Sequence, residues 1–326
     1  MPEPTLYILD VGHGNCAVLK DTEGIIVIDA GRGTTLLEFL KAENIKAIDY
    51  LLISHADIDH IGGIINLIES DTISVGMVCV NTDSAKDSNI WDDMLYEINN
   101  NGDIRLSVGL TTNSSGLFDK GAISISILSP SPYLASRGPG STDRKGRRLS
   151  SNSNCVVIRL ENGVNPLVLL AGDIDNVGFE NLIEDNNQEN INAPLAVFPH
   201  HGGKTGSVNP IEFASSFCEI IRPKTVVFSV GRRAYSNPCP EIIRYLRAKV
   251  PDVRIICTQL STHCAKETYD QSYSHLTDKY SQGRIDNLCC AGTISIILRD
   301  EPLVLPDQDS LDSFIDRAAP TALCKV

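Results

Sequence analysis

The segment that most constrains this 326-residue chain is S-H-A-D-I-D-H-I-G-G, at residues 54–63. Four side chains that can bind a metal ion fall within six positions of it: His55, Asp57, Asp59 and His60. The apolar run Tyr50–Ile53 before it is typical of a buried strand. A loop at a strand end can aim several side chains at one point, and two imidazoles with two carboxylates suit one or two divalent cations. The alternative is a solvated polar loop.

Polar residues follow other apolar runs in the same way. D-V-G-H-G-N at residues 10–15 follows the first apolar run, Asp29 follows the second, and Asp173 ends the run Leu167–Leu170 after Ala-Gly. A further apolar run ends in paired histidines at residues 200 and 201. Five of the seven histidines lie in these loops: His13, His55, His60, His200 and His201. This distribution favours the metal site over the solvated loop.

Taken together, these motifs resemble the metallo-β-lactamase superfamily, and within it the hydrolase domain of the competence protein ComEC and its stand-alone soluble homologues. The group shows D-V-G-x-G-[DN], I-D-x-G, H-x-D-x-D-H-x-G-G, G-D and H-H-G in this order, as residues of about 5 to 300 do here. The resemblance implies an α/β fold, the αββα sandwich, in which two mixed β-sheets pack face to face with helices outside.

The resemblance also implies a dinuclear metal site. His55 and Asp57 would bind the first ion, Asp59 and His60 the second, and Asp173 would bridge the two. His201 would complete the second site, with His200 as a further candidate ligand. Two ions can activate a water molecule and clamp the attacking and leaving oxygens, so Asp59, His60 and Asp173 are the candidate catalytic residues.

The chain departs from the common zinc pattern of the family at two places. Asp57 stands where most members have a histidine, and Asn152 and Asn154 stand where a later histidine is expected. Oxygen ligands shift the preference towards Mn²⁺ or Mg²⁺. We therefore expect two divalent ions, with manganese at least as good an activator as zinc. The alternative is a weak first site and only one tightly bound ion.

Other residues are predicted to support the ligands or to bind substrate. Asp29 is expected to orient the ligand loop from outside the metal site. Asp10, Asn152 and Asn154 are expected to act in the same way. The candidate substrate-binding residues are His13, Arg232 and Arg233, because arginines can grip a phosphate through paired hydrogen bonds. The alternatives are a loop contact for His13 and surface solubility for the arginines.

The cysteines raise the question of a second kind of metal site. The chain has ten cysteines, no signal-peptide pattern after Met1 and no run of 18 apolar residues, so we expect a cytoplasmic protein without disulfides and without a membrane partner. A structural zinc ion is one reading of the C-terminal set, and buried or free thiols are the other. The candidate zinc ligands are His263, Cys264, Cys289 and Cys290.

Alternating strand and helix patterns extend along residues 1–299, which we interpret as one hydrolase domain. It carries a flexible basic loop at 129–153 and a cysteine-containing insertion at 257–290, and residues 300–326 are predicted to form an acidic, partly ordered tail. The predicted helices are at 34–43, 62–69, 90–99, 176–184, 210–220 and 239–249.

The net charge of −13 counts against a passive nucleic-acid binder, since such binding depends on clustered lysine and arginine. It does not exclude a nuclease, because metal ions neutralise the scissile phosphate and the basic run at 144–148 offers a local groove. We predict a metal-dependent phosphodiesterase or nuclease. The alternatives are a hydrolase of a small ester, lactone or phosphorylcholine-type substrate, and a non-catalytic protein partner in a defence-type complex.

Overall fold

The computed structural model describes residues 3–81, 83, 86, 88–186, 191–233, 235–269, 273–276 and 278–325. The strands are β1 Thr5–Ile8, β2 Ala17–Lys20, β3 Ile25–Ile28, β4 Ala47–Ile53, β5 Ser74–Val80, β6 Arg105–Val108, β7 Ser124–Ser129, β8 Val157–Asn162, β9 Asn165–Leu170, β10 Leu195–Val197, β11 Thr225–Phe228, β12 Arg254–Cys257, β13 Ile294–Ile297 and β14 Leu303–Leu305.

These strands form two mixed sheets. One has the order β14-β13-β1-β2-β3-β4-β5-β6, and the other has the order β12-β11-β10-β9-β8-β7. The strands β3 to β6 are parallel in the first sheet, and β9 to β12 are parallel in the second. The carboxyl ends of neighbouring parallel strands share one edge of a sheet, so the loops after them lie side by side.

The helices are α1 Thr35–Ala42, α2 Ile58–Ile61, α3 Ile64–Ile68, α4 Asn89–Asn100, α5 Pro132–Arg137, α6 Asn176–Asp185, α7 Pro210–Ile221, α8 Pro240–Lys249 and α9 Gln308–Ala318. All six predicted helices, α1, α3, α4, α6, α7 and α8, match within about two residues, because each carries an apolar stripe on one face.

Three apolar layers hold the sandwich together. One cluster lies between the two sheets and includes Leu19 and Leu160. A second packs α1, α3 and α4 against the first sheet, and a third packs α6, α7 and α8 against the second, where Phe217 is fully buried. The predicted fold class, an αββα sandwich, is confirmed.

A short helix within the ligand motif was not predicted. Helix α2 spans Ile58–Ile61, ahead of the predicted helix α3, with Asp57 just before it in an extended conformation. Asp59 and His60 therefore lie on a helical turn and not on an open loop.

The acidic tail is not a loose extension, and that prediction is wrong. Strand β14 pairs antiparallel with β13, and α9 buries Leu311, Phe314 and Ile315 in the layer between the sheets. The apolar residues of α9 recur at intervals of three and four, which is the helical signal that the acidic composition obscured. The C-terminal segment thus belongs to the same core as residues 1–299.

The basic loop at 129–153 is also more ordered than predicted. Its first part forms α5, and Arg147 pairs with Asp143, Glu180 and Glu184. Lys145 pairs with Glu184 at 2.7 Å. Much of the positive charge of this loop is therefore neutralised within the chain.

Among the described residues, the helices are all too short or too polar to cross a bilayer.

Candidate metal centre

Four side chains from three loops converge where the two sheets meet: Asp59, His60, Asp173 and His201. Asp59 and His60 follow β4, Asp173 follows β9, and His201 follows β10. One ligand atom of each residue lies within 4.8 Å of the ligand atoms of the other three. His60, Asp173 and His201 are buried, and Asp59 is nearly so. We call this set the four-ligand cluster.

A buried carboxylate fixes the orientation of His60. Its Nδ1 atom donates a hydrogen bond to Asp29 Oδ2 at 2.7 Å, and Asp29 also accepts hydrogen bonds from the backbone N–H and the hydroxyl of Ser54. With Nδ1 donating to Asp29, Nε2 is the ring atom that faces the cluster, 3.3 Å from Asp173 Oδ1. Asp29 thus holds His60 and Ser54 from outside the four-ligand cluster.

His201 is oriented in the same way by a backbone carbonyl. Its Nδ1 atom donates to Ser229 O at 2.8 Å, and its Nε2 atom lies 3.2 Å from Asp59 Oδ2. His200 and His201 both have positive φ angles, 52° and 56°, which is an unfavourable conformation for residues other than glycine. Such backbone strain concentrates at functional sites, where the direction of a side chain matters more than local stability.

The position of Asp173 depends on the glycine before it. Gly172 has a φ of 53°, and a Cβ atom there would lie 2.5 Å from Cys155 Sγ. The backbone N–H of Asp173 donates to the same sulfur at 3.2 Å. Any larger residue at position 172 would push β9 away from Cys155, so the tight turn is a requirement of the site.

The histidines keep the two aspartates of the cluster ionised. Burial raises the pKa of Asp173, but the charges of His201 and His60 outweigh that effect and hold its pKa well below the ordinary value. The pKa of Asp59 is lowered in the same way, against burial, by His201 and His60. Two carboxylate charges therefore stand beside two imidazoles.

These donor atoms fit a divalent metal ion. His60 Nε2 is buried and has no hydrogen-bond partner within the described part of the chain, which is costly for a polar atom unless a cation binds it. Two carboxylates and two imidazole nitrogens are ligand types that zinc and manganese accept. Asp59, His60, Asp173 and His201 are therefore the residues that would hold such an ion.

The predicted first site, at His55 and Asp57, is less complete. His55 Nε2 lies 3.7 Å from Asp57 Oδ2 and has no hydrogen-bond partner among the described residues. The ammonium group of Lys86 forms an ion pair with Asp57 Oδ1. Asn154 lies shortly before β8 in the sequence, and its side chain is buried. Its side-chain amide also lacks a hydrogen-bond partner among the described residues. One carboxylate of this site is therefore already paired with a cation.

His200 lies beside the four-ligand cluster. Its Nδ1 atom is 3.0 Å from Asp173 Oδ2 and 3.3 Å from Asn152 Nδ2, and its side chain is one-third exposed. Asn15 Nδ2 donates to the other oxygen of Asp173 at 3.4 Å. His200, Asn152 and Asn15 thus form a polar frame around Asp173, and His200 contacts a ligand without being a member of the cluster.

His13 approaches the cluster from the loop after β1. Its Nε2 atom lies 3.5 Å from Asp59 Oδ2, and its ring lies 4.3 Å from the ring of His201 and 4.4 Å from that of Tyr235. Burial and the charge of His201 lower the pKa of His13 to about 4, so the ring is neutral at pH 7. A Cβ atom at Gly14 would lie 2.3 Å from the backbone oxygen of Asp59, which explains the glycine there.

Asp10 does not support the ligand loop as predicted. Its carboxylate accepts hydrogen bonds from Gln259 Nε2 at 2.8 Å, from the backbone N–H of Gly283 at 2.9 Å and from that of Gly12 at 3.2 Å. These partners lie in the C-terminal insertion and in the loop that carries His13. Asp10 therefore joins the insertion to the first strand of the sandwich.

Arg232 also differs from its prediction. Its guanidinium group donates to the backbone carbonyls of Leu260, Ala265 and Lys266, each at 2.8 Å. The predicted phosphate contact is therefore wrong for this residue, which instead fastens the insertion. Arg233 is mostly exposed and pairs with Asp286 at 3.1 Å, a contact typical of a solvated surface.

Two of the four predicted structural zinc ligands make contacts elsewhere, whereas Cys264 and Cys290 line the same pocket. His263 Nε2 contacts the carbonyl of Ser236 at 3.0 Å, and Cys289 Sγ donates to Asp10 Oδ2 at 3.4 Å. No metal-binding group forms from His263, Cys264, Cys289 and Cys290 within the residues that the structure describes. The zinc prediction is therefore wrong for this set, and all ten cysteines are free thiols.

Three residues of the site were not identified from the sequence. Ser54 donates to Asp29 and lies 3.1 Å from His55 Nδ1, Lys86 pairs with Asp57, and Tyr235 covers His13. The polar stretch after β5 was a usable signal for Lys86. Strand β5 is parallel to β4, so its following loop had to lie beside the ligand loop.

Comparisons with known proteins agree with this architecture. A sequence model of the metallo-beta-lactamase superfamily matches residues 9–79, which include the first glycine loop and the ligand motif. A comparison with curated protein sequences gave no significant match.

The fold is similar to that of YhfI, a metallo-beta-lactamase fold protein from Bacillus subtilis. The two superpose with a TM-score of 0.50 at 12% sequence identity, over 80% of this chain and 98% of YhfI. Igni18, a metallo hydrolase from the archaeon Ignicoccus hospitalis, gives 0.45 at 18% identity over 78% of this chain and 94% of its own. Zn²⁺-bound PqqB from Methylobacterium extorquens gives a TM-score of 0.46 at 14% sequence identity, over 75% of this chain and 85% of PqqB. At such identities only the fold is shared: this chain is a protein of the metallo-β-lactamase fold, and its residues 9–79 carry the sequence pattern of that superfamily.

Proposed function

We propose that the protein is a metal-dependent hydrolase that cleaves a phosphodiester bond with water as the nucleophile. The four-ligand cluster carries this proposal, since it brings two ionised carboxylates and two correctly oriented imidazoles together in a buried position. Asp59, His60, Asp173 and His201 would hold a divalent ion, which would act as a Lewis acid and lower the pKa of water towards neutral pH.

Groups outside the cluster hold its ligands in place before any substrate binds. Asp29 keeps the proton of His60 on Nδ1, and the carbonyl of Ser229 does the same for His201. Asn15 and His200 contact the two oxygens of Asp173. This arrangement supports catalysis because preorganised ligands need little rearrangement during the reaction.

The surroundings of the cluster favour an anionic substrate. Lys86 is one-third exposed, Arg32 is exposed and close enough to affect His13, and the ring of Tyr235 is 59% exposed above His13. Cations of this kind bind phosphate, and an exposed aromatic ring can stack on a nucleobase. A lactone or a thioester would bind better to an apolar surface.

The charge distribution favours a short or single-stranded substrate over long duplex DNA. The chain carries a net charge of −13, and Lys145 and Arg147 of the basic loop are paired with Glu180 and Glu184. A continuous cationic groove, on which duplex affinity depends, is therefore weakened at this loop. The order of the sequence motifs, which resembles that of the ComEC hydrolase domain, supports a nuclease-type substrate.

The test is hydrolysis by protein loaded with Mn²⁺, Mg²⁺ or Zn²⁺. The substrates are bis(p-nitrophenyl) phosphate, labelled single- and double-stranded DNA, and RNA, with a lactone and a thioester for comparison. We expect phosphodiester cleavage that falls about 100-fold or more in Asp59→Asn. Asp49→Asn is the matched control, because Asp49 pairs with Lys120 away from the cluster.

Two results would contradict the proposal. One is full activity of Asp59→Asn, because the reaction would then not depend on the cluster. The other is a metal-loaded protein that hydrolyses the lactone or thioester but none of the phosphodiesters, which would assign a different ester as substrate.

A further inference from the structure

We propose that Lys86 takes the place of a second metal ion, so that the chain binds one divalent ion tightly and uses the ammonium group of Lys86 as its second cation. This inference rests on the proposed metal-dependent function and specifies how many ions that function uses.

Lys86 is built into the edge of the sheet where the ligand loop lies. Its backbone N–H donates to Asp83 O at 3.0 Å, and its carbonyl accepts from the N–H of Ser88 at 3.1 Å. Both bonds lie directly before α4. Since β4 and β5 are parallel neighbours, Lys86 lies beside the loop of Asp57, and its ammonium group pairs with Asp57 Oδ1.

A charge count separates the two halves of the site. The four-ligand cluster contains Asp59 and Asp173, whose two negative charges balance one divalent ion. In the neighbouring half, the Asp57 carboxylate is already neutralised by Lys86. A doubly charged ion entering this half would have to compete with a tethered ammonium group for that carboxylate.

The ligand atoms available in that half support the same conclusion. His55 Nε2 is its one imidazole nitrogen. Asn154, which stands where a third nitrogen ligand is expected, offers at best an uncharged amide oxygen. A single imidazole, a paired carboxylate and an amide make a weak set for zinc or manganese. The lysine side chain therefore meets little competition from free ions.

An ammonium group can serve the reaction at this position. Its partner Asp57 lies 3.7 Å from His55 Nε2, and the ring of His55 is 4.0 Å from that of His60 in the cluster. The Lys86 side chain is one-third exposed. A phosphate oxygen bound there would receive a positive charge without a second ion. The cation is also present at any metal concentration, because it belongs to the chain.

The experiment counts ions in the absence of substrate. Metal-free protein is titrated with Mn²⁺, and bound ions per chain are measured by native mass spectrometry and equilibrium dialysis. Electron paramagnetic resonance detects coupling between paired Mn²⁺ ions. We expect one tightly bound, uncoupled ion in the natural chain. In Lys86→Gln and in Lys86→Met, we expect a second, coupled ion that binds at least tenfold more tightly than any second ion does in the natural chain.

Two variants serve as controls. Lys86→Arg keeps the positive charge and should bind one ion, and Lys120→Gln removes a lysine whose partner, Asp49, is remote from the cluster. Two equally tight ions in the natural chain, or an unchanged second-ion affinity in both neutral variants, would overturn the role of Lys86 but leave the hydrolase proposal standing. A chain that binds no ion tightly would overturn the hydrolase proposal itself.

Discussion

Replacement of Asp29 by asparagine should weaken metal binding although Asp29 is not a ligand. Its carboxylate is 1% exposed and accepts three hydrogen bonds of 2.7–2.8 Å, one from His60 Nδ1 and two from Ser54. Asparagine has nearly the same shape and tolerates the positive φ of 59° at this position, so the backbone should not change. Its NH₂ group, however, would face donors where Asp29 presents an acceptor.

The size of the effect follows from what His60 loses. Without an anionic acceptor, the proton of His60 is no longer held on Nδ1, and Nε2 is less basic and less well oriented. Loss of such a supporting group typically lowers metal affinity by about 10- to 100-fold, or about 1.4–2.7 kcal/mol. The unsatisfied donors should also lower the free energy of unfolding by about 1–3 kcal/mol.

The assay is competition for Mn²⁺ or Zn²⁺ between metal-free protein and a chromophoric chelator. Asp21→Asn is a suitable control, because Asp21 is also a buried acceptor, for the backbone N–H groups of Thr22, Ala122 and Ile123, but it lies away from the cluster. Asp21→Asn should lose stability and keep its metal affinity. An Asp29→Asn affinity within about twofold of the natural chain would refute the argument.

Three further predictions concern residues away from the cluster. Arg232→Ala should lower the free energy of unfolding by about 1–3 kcal/mol without changing KM, because three carbonyls lose a donor; a raised KM would restore the phosphate contact. Phe314→Ala should lower the free energy of unfolding, measured by chemical denaturation, by about 3–5 kcal/mol, since Phe314 is 1% exposed. A negligible change would mean that the C-terminal segment does not pack on the core. Burial raises the pKa of Asp143, but Asn181 and Arg147 outweigh it and lower that pKa to about 2, from 3.8. Its contribution to stability should be complete above about pH 4 and disappear as the pH falls to about 2; acid denaturation of Asp143→Asn beside the natural chain tests this, and a constant difference between them would contradict it.

Local patterns were sufficient for much of the fold. The apolar stripes of helices such as Pro210–Ile221 and Pro240–Lys249 predicted them within about a residue at each end. The same reasoning failed for α9, because the acidic residues between its apolar positions made the segment resemble a solvated tail. Periodicity shows a helical face, but the partner of that face depends on contacts that are distant in sequence.

The residues of the site also divide into those that local patterns predict and those that depend on contacts distant in sequence. The ligand motif contributes two members of the four-ligand cluster within two positions, and the strand-end acids and histidines supply the others, so all four were predictable. The carbonyl partners of the Arg232 guanidinium are 28 or more residues away in sequence, and Gln259 is 249 residues from Asp10, so no local pattern indicates these contacts. Lys86 was overlooked because its only signal is the position of its loop, after a strand that is parallel to β4.

Anomalous diffraction at the manganese edge tests the central claim most directly. Crystals of the natural chain equilibrated with Mn²⁺ should show one strong peak bounded by Asp59, His60, Asp173 and His201, and no comparable peak between His55 and Asp57. A strong peak elsewhere in the chain, with none among these four residues, would contradict the assignment of the metal centre and the hydrolytic function built on it.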